Sequence, residues 1–212
     1  MANRRLKLRT HQFDLLLRHP FTISRGTVTV QPTLIVELDD GRYQGFGEAT
    51  TNDYYGMTMD RMLAALEGVR DLVESVDSLA PPLLWESLSS RLAEVPFALC
   101  ALDQAAYDLW GKQLGRPVYE LLGLSIDRIP ESNFTIGIDT VERMIAKLQE
   151  VPDWPIYKIK LGTSQDISII QQLRQHTSAV LRVDANCGWS VDETIDNSHQ
   201  LKELGVEFIE QP

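Results

Sequence analysis

Three polar intrusions close three apolar segments at nearly equal intervals. Lys160 ends Tyr157-Lys158-Ile159-Lys160, Asp184 ends Leu181-Arg182-Val183-Asp184, and Glu210 ends Phe208-Ile209-Glu210. The steps between them, 24 and 26 residues, are close to the roughly 30-residue period of a strand-helix-strand unit. Such a period constrains the fold strongly, because alternating strands and helices build a parallel sheet. One functional group at the close of each strand is the arrangement of a barrel mouth.

The rest of the pattern divides the chain near Ser125. Strands are expected at 133–138, 156–161, 180–184 and 206–210, with helices near 140–150, 164–177 and 191–204 and with Thr140 and Ser190 as N-caps. Four such units are half of a (β/α)₈ barrel, which takes about 250 residues when complete. The first part, 1–124, reads as an α+β domain. Alternation predicts strands at 7–18 and 27–38, and Asp39-Asp40-Gly41 turns the chain into a third strand ending near Glu48, an antiparallel meander. Helices should follow at 58–76, after Pro81-Pro82, at 96–114 with Gly115 as its stop, and from Pro117 through Leu122. Ala98, Cys100, Ala101, Ala105 and Ala106 make the third of these small-sided, fit for close packing.

Thirty acidic and twenty basic residues leave a net charge of −10, which argues against polyanionic partners such as nucleic acid or an anionic membrane surface. The basic cluster Arg4, Arg5, Lys7 and Arg9 is too small to reverse that. Cys100 and Cys187 are far apart and suit neither a disulfide framework nor a zinc site, so a reducing cytoplasm is the expected location. Leu15-Leu16-Leu17, preceded by Asp14, is too short for a signal-peptide core, and no apolar run could span a bilayer.

Side chains alternate along a strand, so Lys158 and Lys160 should project to one side and Tyr157, Ile159 and Leu161 to the other. Each ammonium raises the cost of protonating its neighbour, and at least one lysine pKa is expected to fall towards the value a general base needs. Paired carboxylates on adjacent strands, Asp184 and Glu210, suit Mg²⁺, which prefers oxygen ligands and keeps positions for water or substrate. Taken singly, each feature has a plainer reading: Lys-x-Lys as a solvated strand face, Asp184 as an N-cap, Glu210 as a surface carboxylate, Asn186 as a turn former. Their coincidence at the same end of three strands favours chemistry, namely removal of a proton next to a metal-bound carboxylate. A Schiff-base aldolase, with Lys158 or Lys160 attacking a carbonyl, stays open at this point.

Lys158-Ile159-Lys160, Asp184-Ala185-Asn186 and Glu210-Gln211-Pro212 together resemble the enolase superfamily and, within it, the muconate-lactonizing-type subgroup; the resemblance covers essentially the whole chain. The pairing of a lysine base with Mg²⁺ is established for that superfamily and is not deduced from this sequence. The resemblance implies a capping domain at 1–124 and the first half of a TIM-type barrel at 125–212. It implies that Lys160 is the base on one face of the substrate carbon, and that Lys158 holds the substrate carboxylate and lowers its neighbour's pKa. Asp184 and Glu210 would be metal ligands, Asn186 a supporting group, and Thr135, at the end of the first barrel strand, a substrate contact. Mg²⁺ is preferred, and oxygen ligands of this kind also accept Mn²⁺.

The segment His19 to Thr27 resembles the mobile capping loop of dipeptide epimerases, in which Arg25 could meet a distal carboxylate by a bidentate pair. Asn52 to Met57 looks like the second capping loop. The implied activity is epimerisation of a dipeptide of L-Ala-D/L-Glu type, an isomerase reaction on a small-molecule carboxylate, with no nucleic-acid or membrane partner and with a homo-oligomer allowed. Cycloisomerases, o-succinylbenzoate synthases and N-acylamino-acid racemases of the same subgroup share these motifs, and only Arg25 and its loop tilt the choice. The subgroup's third metal carboxylate and second lysine would fall beyond Pro212. The chain is therefore expected to be an inactive fragment of a longer enzyme, with a non-catalytic binding module as the remaining alternative; four strands alone leave an unpaired sheet edge.

Overall fold

A computed structural model describes residues 5–76 and 79–212, so Arg4 of the basic cluster lies outside the described residues. Contacts divide the chain into two units: residues up to Leu16 with Val30–Ile129, and Leu17–Thr29 with Pro130–Pro212.

The first unit contains most of a three-stranded sheet in the order β1-β2-β3 (Lys7–Ile23, Gly26–Asp39, Gln44–Thr50). β2 and β3 pair antiparallel from Thr33↔Thr50 to Asp39↔Gln44. Asp40 closes their turn, its Oδ1 accepting from the backbone N–H groups of Arg42 and Tyr43, both at 2.7 Å. Against this sheet packs α3 (Pro96–Leu114), with α1 (Met59–Glu74) and α2 (Pro81–Ser89) packed on α3, around a core that includes Leu34, Val36, Leu38, Met62, Leu66, Ala101 and Leu102. Thr58 caps α1 by accepting from the Arg61 amide, and Gly115, at φ 64°, ends α3 in the left-handed conformation that glycine adopts without penalty. α4 is a single turn, Val118–Leu121, preceded by Pro117.

The small-sided face of α3 lies unusually close to β3. A Cβ built on Gly47 would stand 1.9 Å from the Ala101 carbonyl oxygen, and one on Gly45 2.2 Å from that of Ala105. At this distance α3 also covers the outer edge of β3: Asp108 accepts from the Phe46 amide (2.8 Å), Gln104 accepts from the Glu48 amide (3.3 Å), and Lys112 donates to the Gln44 carbonyl (2.8 Å). A strand edge that would otherwise offer free backbone groups is thereby satisfied by side chains.

The second unit carries a four-stranded parallel sheet, β4-β5-β6-β7 (Phe134–Ile136, Ile156–Lys160, Val180–Asp184, Val206–Glu210), with α5 (Val141–Gln149), α6 (Asp166–Arg174) and α7 (Val191–Glu203) between the strands. This is the first half of a (β/α)₈ architecture. Thr140 caps α5, and Ser190 with Glu193 forms a capping box on α7. Tyr157, Ile159, Leu161, Leu181 and Val183 are fully buried in a core with Ile169, Ile170, Leu173 and Leu201 of the helices. No helix of the described residues is long and apolar enough to cross a membrane.

Three sequence expectations need correction. The stretch from His19 to Thr27 is not an irregular loop: β1 runs on to Ile23 and β2 begins at Gly26, so only Ser24 and Arg25 turn. β-branched residues on both arms favour the extended form, the Thr22 and Thr27 hydroxyls meet at 2.9 Å, and Pro20 is tolerated because β1 is an edge strand. This hairpin end, Leu17–Thr29, groups with the parallel sheet and not with the rest of the first 124 residues. β4 is shorter than expected, stopping at Ile136, because the Ile138 amide donates to the Thr22 carbonyl instead of to a barrel strand. α6 is also shorter than 164–177. Asp166 gathers the preceding loop, and Arg174 donates to the carbonyls of Thr177, Ala179, Leu204 and Gly205, which ends the helix.

Candidate active site

The register of the parallel sheet sets which polar side chains meet. Lys158 lies opposite Thr135 on one side and Arg182 on the other, Lys160 lies opposite Asp184, and Asp184 lies opposite Glu210. Because Tyr157, Ile159 and Leu161 fill the helix-facing core, the two lysines share the other face. There they do not simply repel one another. Lys160 Nζ donates to Asp184 Oδ2 at 2.7 Å, and Lys158 Nζ lies 3.1 Å from the same oxygen and 2.6 Å from Glu210 Oε2.

At Lys158 this arrangement sets the pKa against the mutual lowering expected of two neighbouring ammonium groups. Burial alone would lower it, but hydrogen bonds and charge attraction from Glu210 and Asp184 outweigh that and hold the ammonium above its ordinary value of 10.5. Asp184 is almost fully buried, which by itself would raise its carboxyl pKa. Hydrogen bonds from Lys160, the Asn186 backbone amide and Lys158 instead keep it below the usual carboxylate range.

Glu210 reaches this cluster only through a β-bulge. Leu181 pairs with Val206 but Val183 pairs with Ile209, so β7 contains one residue more than β6 over that interval. In a regular strand Glu210 would share the helix-facing side with Val206. The extra residue returns Ile209 to the core and turns Glu210 towards Asp184. The residues of the bulge, Glu207 and Phe208, both meet Arg182, the first by an ion pair at 2.5 Å and the second with the guanidinium 5.1 Å from its ring centre.

Asn186 lies just past Asp184 with φ 49°, a left-handed conformation that asparagine tolerates. Its backbone amide donates to Asp184 Oδ1 (2.9 Å) and its side-chain amide to Gln211 Oε1 (3.3 Å). Arg25 Nη1 donates to the Asn186 carbonyl at 2.8 Å, beside Ser24, whose hydroxyl donates to the same oxygen at 2.9 Å. Thr135 is in the middle of β4, not at its end, and is exposed opposite Lys158. The structure thus brings together Lys158, Lys160, Asp184 and Glu210, sets Asn186 on the adjoining loop with Arg25 of the β1–β2 turn bonded to its carbonyl, and leaves Thr135 opposite Lys158, one residue pair below Lys160.

The sequence reading missed Arg182, Asp166 and Trp189. Arg182 carries no signal beyond being polar in a strand. Asp166 had one, the Thr163-x-x-Asp166 spacing of a helix start.

Among the described residues no group of three or more His, Cys, Asp or Glu side chains could hold a metal ion. The pair Asp184 and Glu210 does fit part of a hard-cation shell, since one ammonium nitrogen is already flanked by an oxygen from each.

Two lysines and two carboxylates at the C-terminal ends of parallel strands, following an α+β unit, define an enolase-type enzyme class. Residues 7–123 match the mandelate racemase / muconate lactonizing enzyme N-terminal domain and residues 139–212 match the enolase C-terminal domain-like family. The chain belongs to the mandelate racemase / muconate lactonizing enzyme family of the enolase superfamily. It is 49% identical over 207 residues to an L-Ala-D/L-amino acid epimerase of Flavobacterium johnsoniae, covering 98% of this chain and 61% of the relative. A dipeptide epimerase from Methylococcus capsulatus complexed with Mg and L-Arg-D-Lys is similar with a TM-score of 0.88 and 31% identity, over 98% of this chain and 61% of that one. One from Cytophaga hutchinsonii, complexed with Mg and D-Ala-L-Val, gives a TM-score of 0.87 and 25% identity, over 98% of this chain and 59% of that one. The chain therefore spans about three-fifths of the length of the curated relatives it matches.

Proposed function

We propose that this chain is part of a Mg²⁺-dependent enzyme that epimerises dipeptides at the carbon next to a carboxylate, with substrates of the L-Ala-D/L-Glu type. The observation that carries the reading is the contact set Lys160–Asp184–Lys158–Glu210 at the ends of β5, β6 and β7, in a chain whose relatives are named as epimerases of such dipeptides. In this reading 1–124 is the capping domain and 125–212 the first half of the barrel, with the hairpin end grouped with the latter.

Asp184 and Glu210 would hold the metal ion, Mn²⁺ being acceptable to the same oxygens. Bound there, the metal would supply positive charge to the carbonyl side of the substrate, where negative charge develops as the proton leaves. Lys160 removes or delivers the proton on one face, and inversion needs a second proton carrier on the opposite face, the role that the family resemblance gives to a further lysine. Removal requires the neutral form of Lys160, so the carboxylate that now accepts its hydrogen bond must be engaged elsewhere during turnover. Lys158, less buried and flanked by carboxylates, stays charged and orients the substrate's anionic group. Asn186 steadies Asp184 through its backbone amide, and Thr135 lines the same face deeper in. Arg25, on a hairpin tip tied to the Asn186 carbonyl, is placed to meet the distal end of a substrate that enters beside that loop.

The test is α-proton exchange. A form of the protein carrying the complete barrel, incubated with Mg²⁺ and L-Ala-L-Glu in deuterated water, should incorporate deuterium at the glutamate α-carbon. Lys160→Met should reduce the rate by at least about a thousandfold, in line with loss of a general base. No deuterium incorporation into any dipeptide by the unmodified protein would end the proposal.

A further inference from the structure

The proposed chemistry leaves one nearly inaccessible carboxylate without a role. Asp166, at the first turn of α6, is 2% exposed and makes no ion pair among the described residues. It is nevertheless fully used as an acceptor. Oδ1 takes the Thr163 amide (2.9 Å) and the Thr163 hydroxyl (2.7 Å), while Oδ2 takes the Gly162 amide (2.8 Å) and the Trp189 indole N–H (2.6 Å).

These donors come from two separate loops. Gly162 is two residues beyond Lys160 on the exit from β5, and Trp189 is five beyond Asp184 on the exit from β6. The two exits already touch: a Cβ on Gly188 would stand 2.9 Å from Gly162 Cα, and the Leu161 amide donates to the Asp184 carbonyl at 2.9 Å. Backbone contact fixes spacing, but it does not fix the rotation of either loop about its strand axis. A single oxygen accepting one N–H from each loop does, because neither donor can turn away without exposing a buried acceptor.

We propose that Asp166, acting with Trp189, is a positioning residue that locks the β5 exit to the β6 exit and so sets Lys160 against Asp184. This deepens the functional reading above and rests on it for its consequence in turnover, but not for its geometry. A carboxylate suits the task better than an amide. Because an asparagine amide could turn its oxygen towards Gly162 and Trp189 and its NH₂ towards the Thr163 hydroxyl, the decisive change is Asp166→Ala, which removes the acceptor shared by the Gly162 and Trp189 N–H groups.

The test is made first on the 212-residue chain, by backbone hydrogen exchange and by the NMR resonance of the Trp189 indole N–H, identified through its absence in Trp189→Phe. In Asp166→Ala, amide exchange should quicken roughly tenfold, the size of a lost hydrogen bond to a charged group, in both 162–163 and 185–189, while α3 keeps its protection. The indole resonance should move towards that of a free indole. Trp189→Phe, which keeps the carboxylate, should also quicken exchange at 162–163, across the loop boundary. The proposal is overturned if Asp166→Ala affects only 162–163, or if Trp189→Phe leaves 162–163 unchanged; should the Ala variant not fold, the Phe variant decides. In the complete-barrel form, Trp189→Phe should lower kcat by about tenfold to a hundredfold, as expected for a displaced catalytic group, with KM little changed; a raised KM at unchanged kcat would contradict positioning. Failure of the unmodified enzyme to turn over any dipeptide would count against the proposed function alone, with the exchange data still deciding the role of Asp166.

Discussion

The α3–β3 contact and the β5–β6–β7 strand ends both bring backbone unusually close and both use buried polar groups, but they do so to opposite effect. In the first, Gly45 and Gly47 let a helix approach a strand, and Asp108, Gln104 and Lys112 satisfy that strand's backbone. In the second, the ionic groups chiefly satisfy one another, Lys158 and Lys160 sharing Asp184. Polar groups of the first kind complete a packing surface. Those of the second kind can exchange partners, which is what a reacting site needs.

The comparison can be broken most forcefully at Asp184. Asp184→Ala strands two ammonium groups, one 17% and the other 11% exposed at the side chain. The loss should be about 3 kcal/mol in denaturant unfolding, the low end for a broken buried pair because Glu210 still neutralises Lys158 on its open side. A loss under about 1 kcal/mol would mean that the cluster is solvated like a surface pair.

Next in size is Gly47→Ala, whose methyl group would meet the Ala101 carbonyl, a backbone atom that cannot swing aside. Overpacking of this kind should cost about 1–3 kcal/mol, and it should appear in the first unit while leaving hydrogen exchange at the strand ends of the second unchanged. Spread of the effect to Lys160 and Asp184 would erase the distinction between the two regions.

The smallest effect concerns pH. Asp184 has a folded pKa below its ordinary 3.8, so its stabilisation is present above that value and is lost as pH falls through the folded pKa. Lys158 has a folded pKa above its ordinary 10.5, so its stabilisation is complete below 10.5 and is lost as pH rises through the folded value. Stability measured by urea midpoint should therefore show a plateau with an acid and an alkaline shoulder, and Lys158→Met should flatten the alkaline one. An alkaline shoulder that is unchanged in this variant would assign it to other groups.

How much of this was legible in the sequence depended on whether the deciding interaction was local. Lys158, Lys160, Asp184 and Asn186 could be placed because strand alternation and helix caps fix them within a few residues. The α3 boundaries followed from Pro96 and Gly115 for the same reason. The rise at Lys158 was not legible because its dominant partners, Asp184 and Glu210, are 26 and 52 positions from it and the adjacent ammonium is only two. The hairpin end was misread because Pro20 and the turn at Ser24-Arg25 look alike as loop formers, and only pairing between β1 and β2 distinguishes them. Trp189 meeting Asp166 has no periodic signature at all.

The extra residue in β7 carries a lesson for anyone tracing kinship among such chains. Removing a single codon for Glu207 or Phe208 would leave a plain strand in which Ile209 still meets Val183 and Glu210 still meets Asp184, whereas keeping both residues and straightening the strand would swap an isoleucine into the cation pocket and send the acid group into oil. Identity at a motif certifies the letter, and the local path of the strand before it decides which way the letter faces.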